Sequence, residues 1–217
     1  MCYAVDACWD PKGIAEYAQA QRLKLVGAIA SHYHYDHVGG LVPQQLAAMI
    51  CGPFGVPKDG AVLPGLAEMK TNHGCTPYVH RAEVARVAKQ IKLAEADFVA
   101  LEQGSTLPLG AAGQITVYHT PGHSGGSVCL SVEPAGKRPI ALVVGDTIFP
   151  GSCGRLDLPD SDVNKMFDSL QSLRTFADDV KVYPGHGYSG DSSTIGQEKA
   201  NGLLRPFDRA TWNRMHG

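Results

Sequence analysis

The chain has 217 residues, 44% hydrophobic and 18% charged, with a formal net charge of -2; this fits one full hydrophobic core and offers no basic face for nucleic acid. Six cysteines at positions 2, 8, 51, 75, 129 and 153 form no CxxC pair, which argues against a disulfide scaffold or a thiolate zinc site and for a reducing compartment. No apolar run reaches membrane-spanning length and no basic-then-apolar leader opens the chain, so the expected location is cytoplasmic, or an organelle if a targeting segment has been removed.

In chain order, "CYAV" (2–5) is a strand candidate, and Asp10 with Pro11 reads as the N-cap and first turn of a helix reaching about Leu23. "LVGAIAS" (25–31) is a buried strand that ends on His32. The run "LVPQQLAAMI" reads as helical with an awkward start at Pro43, "GPFGVPKDG" as loop, and "AVLPGLAEMKTNH" as a second helix. "TPYVH" is a strand, "RAEVARVAKQI" a helix and "DFVAL" a strand, followed by a turn over 104–113. Three β-branched-rich runs follow: "QITVYHT" (114–120), "SVCLSV" (127–132) and "PIALVVGD" (139–146). A helix over about 162–173, the strand "VKVYP" and two short terminal helices within about 194–215 complete the chain. Strands in the middle with helices on either side imply an α/β layered domain covering residues 1–217.

The chemistry concentrates in "SHYHYDHVGG", where His32, His34, Asp36 and His37 offer nitrogen and oxygen donors to a borderline metal. In an extended segment His32 and His34 point the same way, while Asp36 and His37 lie where the chain turns. Packing three imidazoles and a carboxylate together without a ligand would be costly in solvation. Four donors split into two pairs are incomplete for two metals, so partners are required from distant loops. Three glycine-flanked strand ends supply them: His123, Asp146 and His186. The expected arrangement puts His32, His34 and His123 on one ion and Asp36, His37 and His186 on the other, with Asp146 bridging. His119 reads as structural, His80 as a weaker candidate, and His73 and His216 as surface groups.

Taken together, "SHYHYDHVGG", "TPGHSGGS", "VVGDTIFPGSCGR" and "YPGHGY" resemble the successive metal motifs of the metallo-β-lactamase superfamily. The resemblance implies an αβ/βα four-layer sandwich, here lacking the usual first strands; the edge so exposed is expected either to self-associate or to carry compensating cover. Within the superfamily the likeness is to short glyoxalase II-like proteins, the hydroxyacylglutathione hydrolases. It implies a thioesterase that cleaves a glutathione-derived thioester with a metal-bound hydroxide. Asp36 and Asp146 are its catalytic carboxylates, and two divalent ions are its cofactors: zinc by default, with iron or manganese compatible. The resemblance also places Arg155 and Tyr188 against the glutathione moiety. Arg155 could instead pair with Asp157 or Asp160 and brace its loop, and Arg205 and Arg209 are weaker candidates for the same cationic contact. The segment from Leu41 to Thr76 is longer than a minimal connection, and reads either as a lid or as added surface.

The sequence is also similar to glutathione persulfide dioxygenases, particularly in "GSCGRLD". That alternative uses one iron on two histidines and a carboxylate, with open positions for oxygen.

Overall fold

The computed structural model describes residues 1–51 and 61–216, with residues 48–51 as backbone only. The chain divides into two compact units, Met1–Ala100 and Leu101–Gly217.

In the first unit, strands β1 (Cys2–Val5), β2 (Leu25–Ile29), β5 (Thr76–His80) and β6 (Val99–Leu101) form a sheet in the order β1-β2-β5-β6. β1 and β5 both run parallel to β2, which explains the apolar character of "LVGAI": a central parallel strand is covered on both faces. Helix α1 (Pro11–Ala20) opens as expected, the Asp10 carboxylate accepting from the Gly13 amide at 2.9 Å. It stops short of Leu23 because Arg22 turns left-handed, at φ 56°, and the Leu23 amide bonds back to the Ala18 carbonyl. Helix α4 (Leu66–His73) and the later α5 (Val84–Ile91) add Leu66, Met69, Val87 and Ile91 to a core that includes Ala28, Val38 and Val79.

The segment after the histidine cluster differs from the sequence expectation. A one-turn helix α2 (Tyr35–Val38) is followed by β3 (Gly40–Val42), and helix α3 (Gln44–Cys51) starts beyond Pro43. Ala61–Leu63 is a strand, β4, not the beginning of a helix, and it pairs antiparallel with β3. Alternation decides this: Val42, Ala61 and Leu63 pack with Cys8 and Ala47, while Leu41 and Val62 face out, 48% and 67% exposed. The expected loop over 52–60 lies outside the described residues, and so does much of the lid-or-surface question.

The second unit is built on a six-stranded sheet in the order β12-β11-β10-β9-β8-β7. Its strands are β7 (Thr106–Pro108), β8 (Gly113–His119), β9 (Val128–Pro134), β10 (Ala141–Gly145), β11 (Lys181–Pro184) and β12 (Ser193–Thr194). β10 and β11 run parallel, and the other neighbours are antiparallel. Strand β7 occupies what the sequence reads as a turn, because Leu107 is buried and the run pairs with β8. β12, two residues long, carries too short a pattern to be read. Helix α6 (Val163–Leu173) lays Met166, Leu170 and Leu173 into a core with Leu142, Val144 and Val182. The terminal helices are α7 (Ile195–Ala200) and α8 (Arg209–His216). Trp212 of α8 is fully buried and donates from Nε1 to the Val163 carbonyl at 2.8 Å. His216 is therefore not a simple surface group: its ring lies 4.0 Å from that of Trp212, and burial lowers its pKa.

Candidate metal centre

In the first unit the donors stand just past the end of β2, where Ser31–Tyr33 bend and α2 begins. His32 and His34 meet at 2.9 Å, Nε2 to Nδ1. They do so through a bend and not through the strand alternation that the sequence suggests. His37 lies beside them, its ring 4.0 Å from that of His32, and the Asp36 carboxylate is 3.9 Å from His37 Nε2. His32 and His37 are 1% and 2% exposed. Imidazoles so buried need either partners or an ion to face.

Their orientation comes from a residue that the motif reading passes over, Asp6 at the end of β1. Its carboxylate accepts from the Ser31 amide (2.7 Å), the Ser31 hydroxyl (2.8 Å) and His37 Nδ1 (2.9 Å). Ser31 Oγ in turn lies 3.0 Å from His32 Nδ1. Protons on the Nδ1 atoms of His32 and His37 satisfy this chain, so each ring turns Nε2 toward the remaining donors. A carboxylate that fixes the tautomer of ligand histidines in this way also raises their basicity. The available signal was an aspartate closing an apolar strand, the same cue that picks out Asp146. Tyr33 supports the cluster from the other side: it packs edge-on to His34 at 4.5 Å and carries the guanidinium of Arg86 over its face at 3.5 Å.

In the second unit the three expected donors converge. Asp146 Oδ2 lies 3.5 Å from His123 Nε2 and 3.7 Å from His186 Nε2. His123 Nδ1 donates to the Arg155 carbonyl at 2.9 Å, which turns Nε2 toward Asp146. Gly154 explains part of the "GSCGR" run: a Cβ there would stand 2.6 Å from His123 Nδ1 and 2.5 Å from the Asp146 carbonyl. Only a residue without a side chain lets the loop pass between them.

The donor groups that converge among the described residues contain only histidines and aspartates, and burial pushes the Cys8 and Cys153 thiols each up to about 12 and that of Cys129 to about 11. His119 holds the Gly125 carbonyl at 2.9 Å, the structural service expected of it. His80 caps the turn after β5 through the Ala82 amide. Arg155 forks onto Asp157 with bonds of 2.9 and 2.8 Å, holding that carboxyl below the usual range. The loop-bracing pairing with Asp157 is thus present. Tyr188 is 74% exposed, stacked on His186 at 4.8 Å and edge-on to Phe149 at 5.4 Å. Arg209 is engaged with Asp168 and Asn164, and Arg205 with the Gly202 carbonyl.

Each unit therefore clusters nitrogen and carboxylate donors, and the rings of His32, His37 and His123 are oriented by hydrogen bonds. Together the clusters give the chain the capacity to hold one or two metal ions, with a donor set of the kind that a metal-dependent hydrolase uses. No helix among the described residues is long and apolar enough to cross a membrane.

A hydroxyacylglutathione hydrolase of Shewanella sp. (strain ANA-3) is 28% identical over 188 residues, covering 86% of this chain and 57% of that protein. An uncharacterized protein of Aquifex aeolicus (strain VF5) is 32% identical over 202 residues, covering 91% and 83%. The chain thus spans little more than half the length of that hydrolase. Among solved structures, a metallo-β-lactamase from Staphylococcus aureus subsp. aureus COL superposes with a TM-score of 0.76 at 22% identity, covering 99% of this chain and 58% of that one. ETHE1 from Myxococcus xanthus gives 0.63 at 20% identity, covering 88% and 68%. These likenesses carry the fold, an αβ/βα four-layer sandwich whose first sheet is atypical. A model of the metallo-β-lactamase superfamily matches residues 56–186. That span, with the Aquifex relative matching over nearly the whole chain, settles the family: this chain belongs to the metallo-β-lactamase superfamily.

Proposed function

We propose that the chain is a thioester hydrolase acting on an acylated glutathione, with its two units serving one metallo-hydrolase domain. In this reading His32, His34 and His123 hold one divalent ion, Asp36, His37 and His186 hold a second, and Asp146 serves both. Zinc is the proposed metal, because it accepts nitrogen and oxygen donors without redox chemistry. Two bound ions would supply the Lewis acidity that polarises a carbonyl and acidifies water. The protein's own residues do the rest. Asp6 and the Arg155 carbonyl hold His37, His32 and His123 in the tautomers that face the reaction. Asp36, 25% exposed at its side chain, would take a proton from the attacking water. Hydrolysis puts the water oxygen on the acyl carbon, breaks the C–S bond and releases the thiol carrying a proton. Tyr188 offers an exposed ring and hydroxyl to the peptide arm of the thiol, and Arg155 a cationic fork to its carboxylate.

The observation that carries this reading is the donor inventory. Four ligand-type side chains cluster in the first unit and three in the second, whereas a single iron centre of the dioxygenase type needs only two histidines and a carboxylate. Similarity to hydroxyacylglutathione hydrolases over 86% of the chain supports the substrate class. The run "GSCGRLD", similar to that of persulfide dioxygenases, supports the dioxygenase as the competing reading. One comparison separates them. A preparation of defined metal content receives S-lactoylglutathione under anaerobic conditions and, separately, glutathione persulfide in an oxygen-electrode cell. Thiol release without oxygen, abolished by Asp146→Ala, is the expected result. Persulfide-dependent oxygen uptake with negligible thioester cleavage would reverse the assignment.

A further inference from the structure

One buried carboxylate of the second unit lies outside the donor set. Glu198 on α7 is 3% exposed, and its Oε2 accepts from the Gly151 amide at 3.1 Å. Gly151 is the turning point, at φ 81°, of the loop joining Asp146 to Arg155. That loop is braced from within. Phe149 and Ser152 exchange backbone bonds of 2.8 and 3.0 Å, and the Gly154 amide donates to the Asp146 carbonyl at 2.8 Å. One end of the loop therefore carries Asp146, and the other carries the Arg155 carbonyl that orients His123.

The chain makes room for this carboxylate. At Gly202 a Cβ would stand 1.7 Å from Glu198 Oε2, and the amides of Gly202 and Leu204 return to the Glu198 carbonyl at 3.0 and 3.2 Å. The start of α7 is fixed by a reciprocal pair, Thr194 Oγ1 accepting from the Gln197 amide and Gln197 Oε1 from the Thr194 amide. Lys199 anchors the same helix separately, to the Phe176 carbonyl and the Asp178 carboxylate. A buried carboxylate bonded to a backbone amide makes a charge-assisted contact, stronger than a neutral one and costly to strand. Placing it beneath the loop that spaces two donors has a consequence for those donors.

We infer that Glu198 is a positioning residue, whose carboxylate clamps the loop over residues 147–154 and thereby sets the placement of Asp146 and His123. This rests on the reading of those two residues as metal ligands. The test measures zinc affinity of the full chain by competition with a chromophoric chelator, together with hydrogen exchange at the Gly151 amide. Glu198→Ala should lower zinc affinity by about 10-fold or more and speed exchange at Gly151. Glu198→Gln, which keeps an acceptor oxygen, should recover most of both. Gly202→Ala displaces the carboxylate without removing it and should shift both readouts as Glu198→Ala does. Lys199→Ala cuts the other anchor of α7 and should leave both unchanged.

Wild-type zinc affinity in Glu198→Ala would overturn the inference, and so would an equal loss in Lys199→Ala, which would indicate helix docking in general. If Glu198→Ala fails to fold, Gly202→Ala decides: fast Gly151 exchange at undiminished affinity would refute positioning. A wild-type chain that takes up no zinc would remove the metal reading and this role with it. Absence of thioester cleavage by a zinc-loaded chain would remove only the proposed substrate.

Discussion

At the scale of single residues, the donors are governed by what lies behind them. Asp6 accepts three hydrogen bonds, from the Ser31 amide and hydroxyl and from His37, so its removal leaves the His37 ring without its orienting partner and releases the Ser31 hydroxyl that faces His32. Asp6→Ala should lower metal affinity by about 10- to 100-fold, read as zinc per chain after dialysis against a weak chelator. Asp146→Ala should lose metal and rate together, not merely raise KM, because its Oδ2 lies 3.5 Å from His123 Nε2 and 3.7 Å from His186 Nε2. Retention of full metal content at near-normal turnover would remove Asp146 from the centre. Arg155 and Asp157 form the most direct contest between substrate binding and bracing. If Arg155 binds the glutathione carboxylate, Arg155→Ala should raise KM for S-lactoylglutathione by about 10-fold or more through loss of a charge-assisted bond. An unchanged kcat/KM would leave only the pairing with Asp157.

At the scale of elements, the start of α6 is tied to the loop that carries His123. Asp162 caps α6 by accepting from the Lys165 amide at 3.0 Å, and its own amide donates to the Gly122 carbonyl beside His123 at 2.7 Å. Asp162→Ala should cost about 1 kcal/mol in a urea melt, the usual worth of an N-cap. The Lys165 amide holds the Asp162 carboxyl below its ordinary value. A folded-state pKa that is depressed means stability fully present above the unfolded value, about 3.9 for an aspartate, and lost as pH falls through the folded one. The difference between wild type and Asp162→Ala should therefore be steady near neutrality and narrow only in strong acid. A difference that grew toward acid would contradict the cap assignment.

At the scale of the whole molecule, the claim with widest reach is that the donor clusters bind metal in the folded state. An ion that binds the native chain and not the unfolded one stabilises it by about 2.7 kcal/mol when present at 100 times its Kd. Thermal unfolding of chelator-treated protein should thus rise by several degrees on addition of zinc, and the rise should vanish in Asp146→Ala. A melting temperature indifferent to zinc would count against a metal centre of any nuclearity. The chain spans only 57% of the length of the Shewanella hydroxyacylglutathione hydrolase. Activity on the glutathione thioester is accordingly the more demanding test, and metal uptake the more direct one.

The amino-acid sequence by itself determined the donor types and their setting: seven histidines and aspartates, four in one cluster after an apolar run and three, His123, Asp146 and His186, beside glycine at strand ends. It also revealed most strands and helices, since the two- and 3.6-residue periodicities of "QITVYHT" and "RAEVARVAKQI" are local properties of the chain. Tertiary structure decided what periodicity cannot encode. Ala61–Leu63 became a strand because β3 offered it a partner, and Thr106–Pro108 because β8 did. The ring orientations of His37 and His123 depend on Asp6 and on the Arg155 carbonyl, 31 and 32 residues away along the chain. The clamp on Gly151 comes from Glu198, 47 residues on. Such partners are chosen by packing in three dimensions, where a hydrogen bond depends on a few ångströms and on direction and not on separation in sequence.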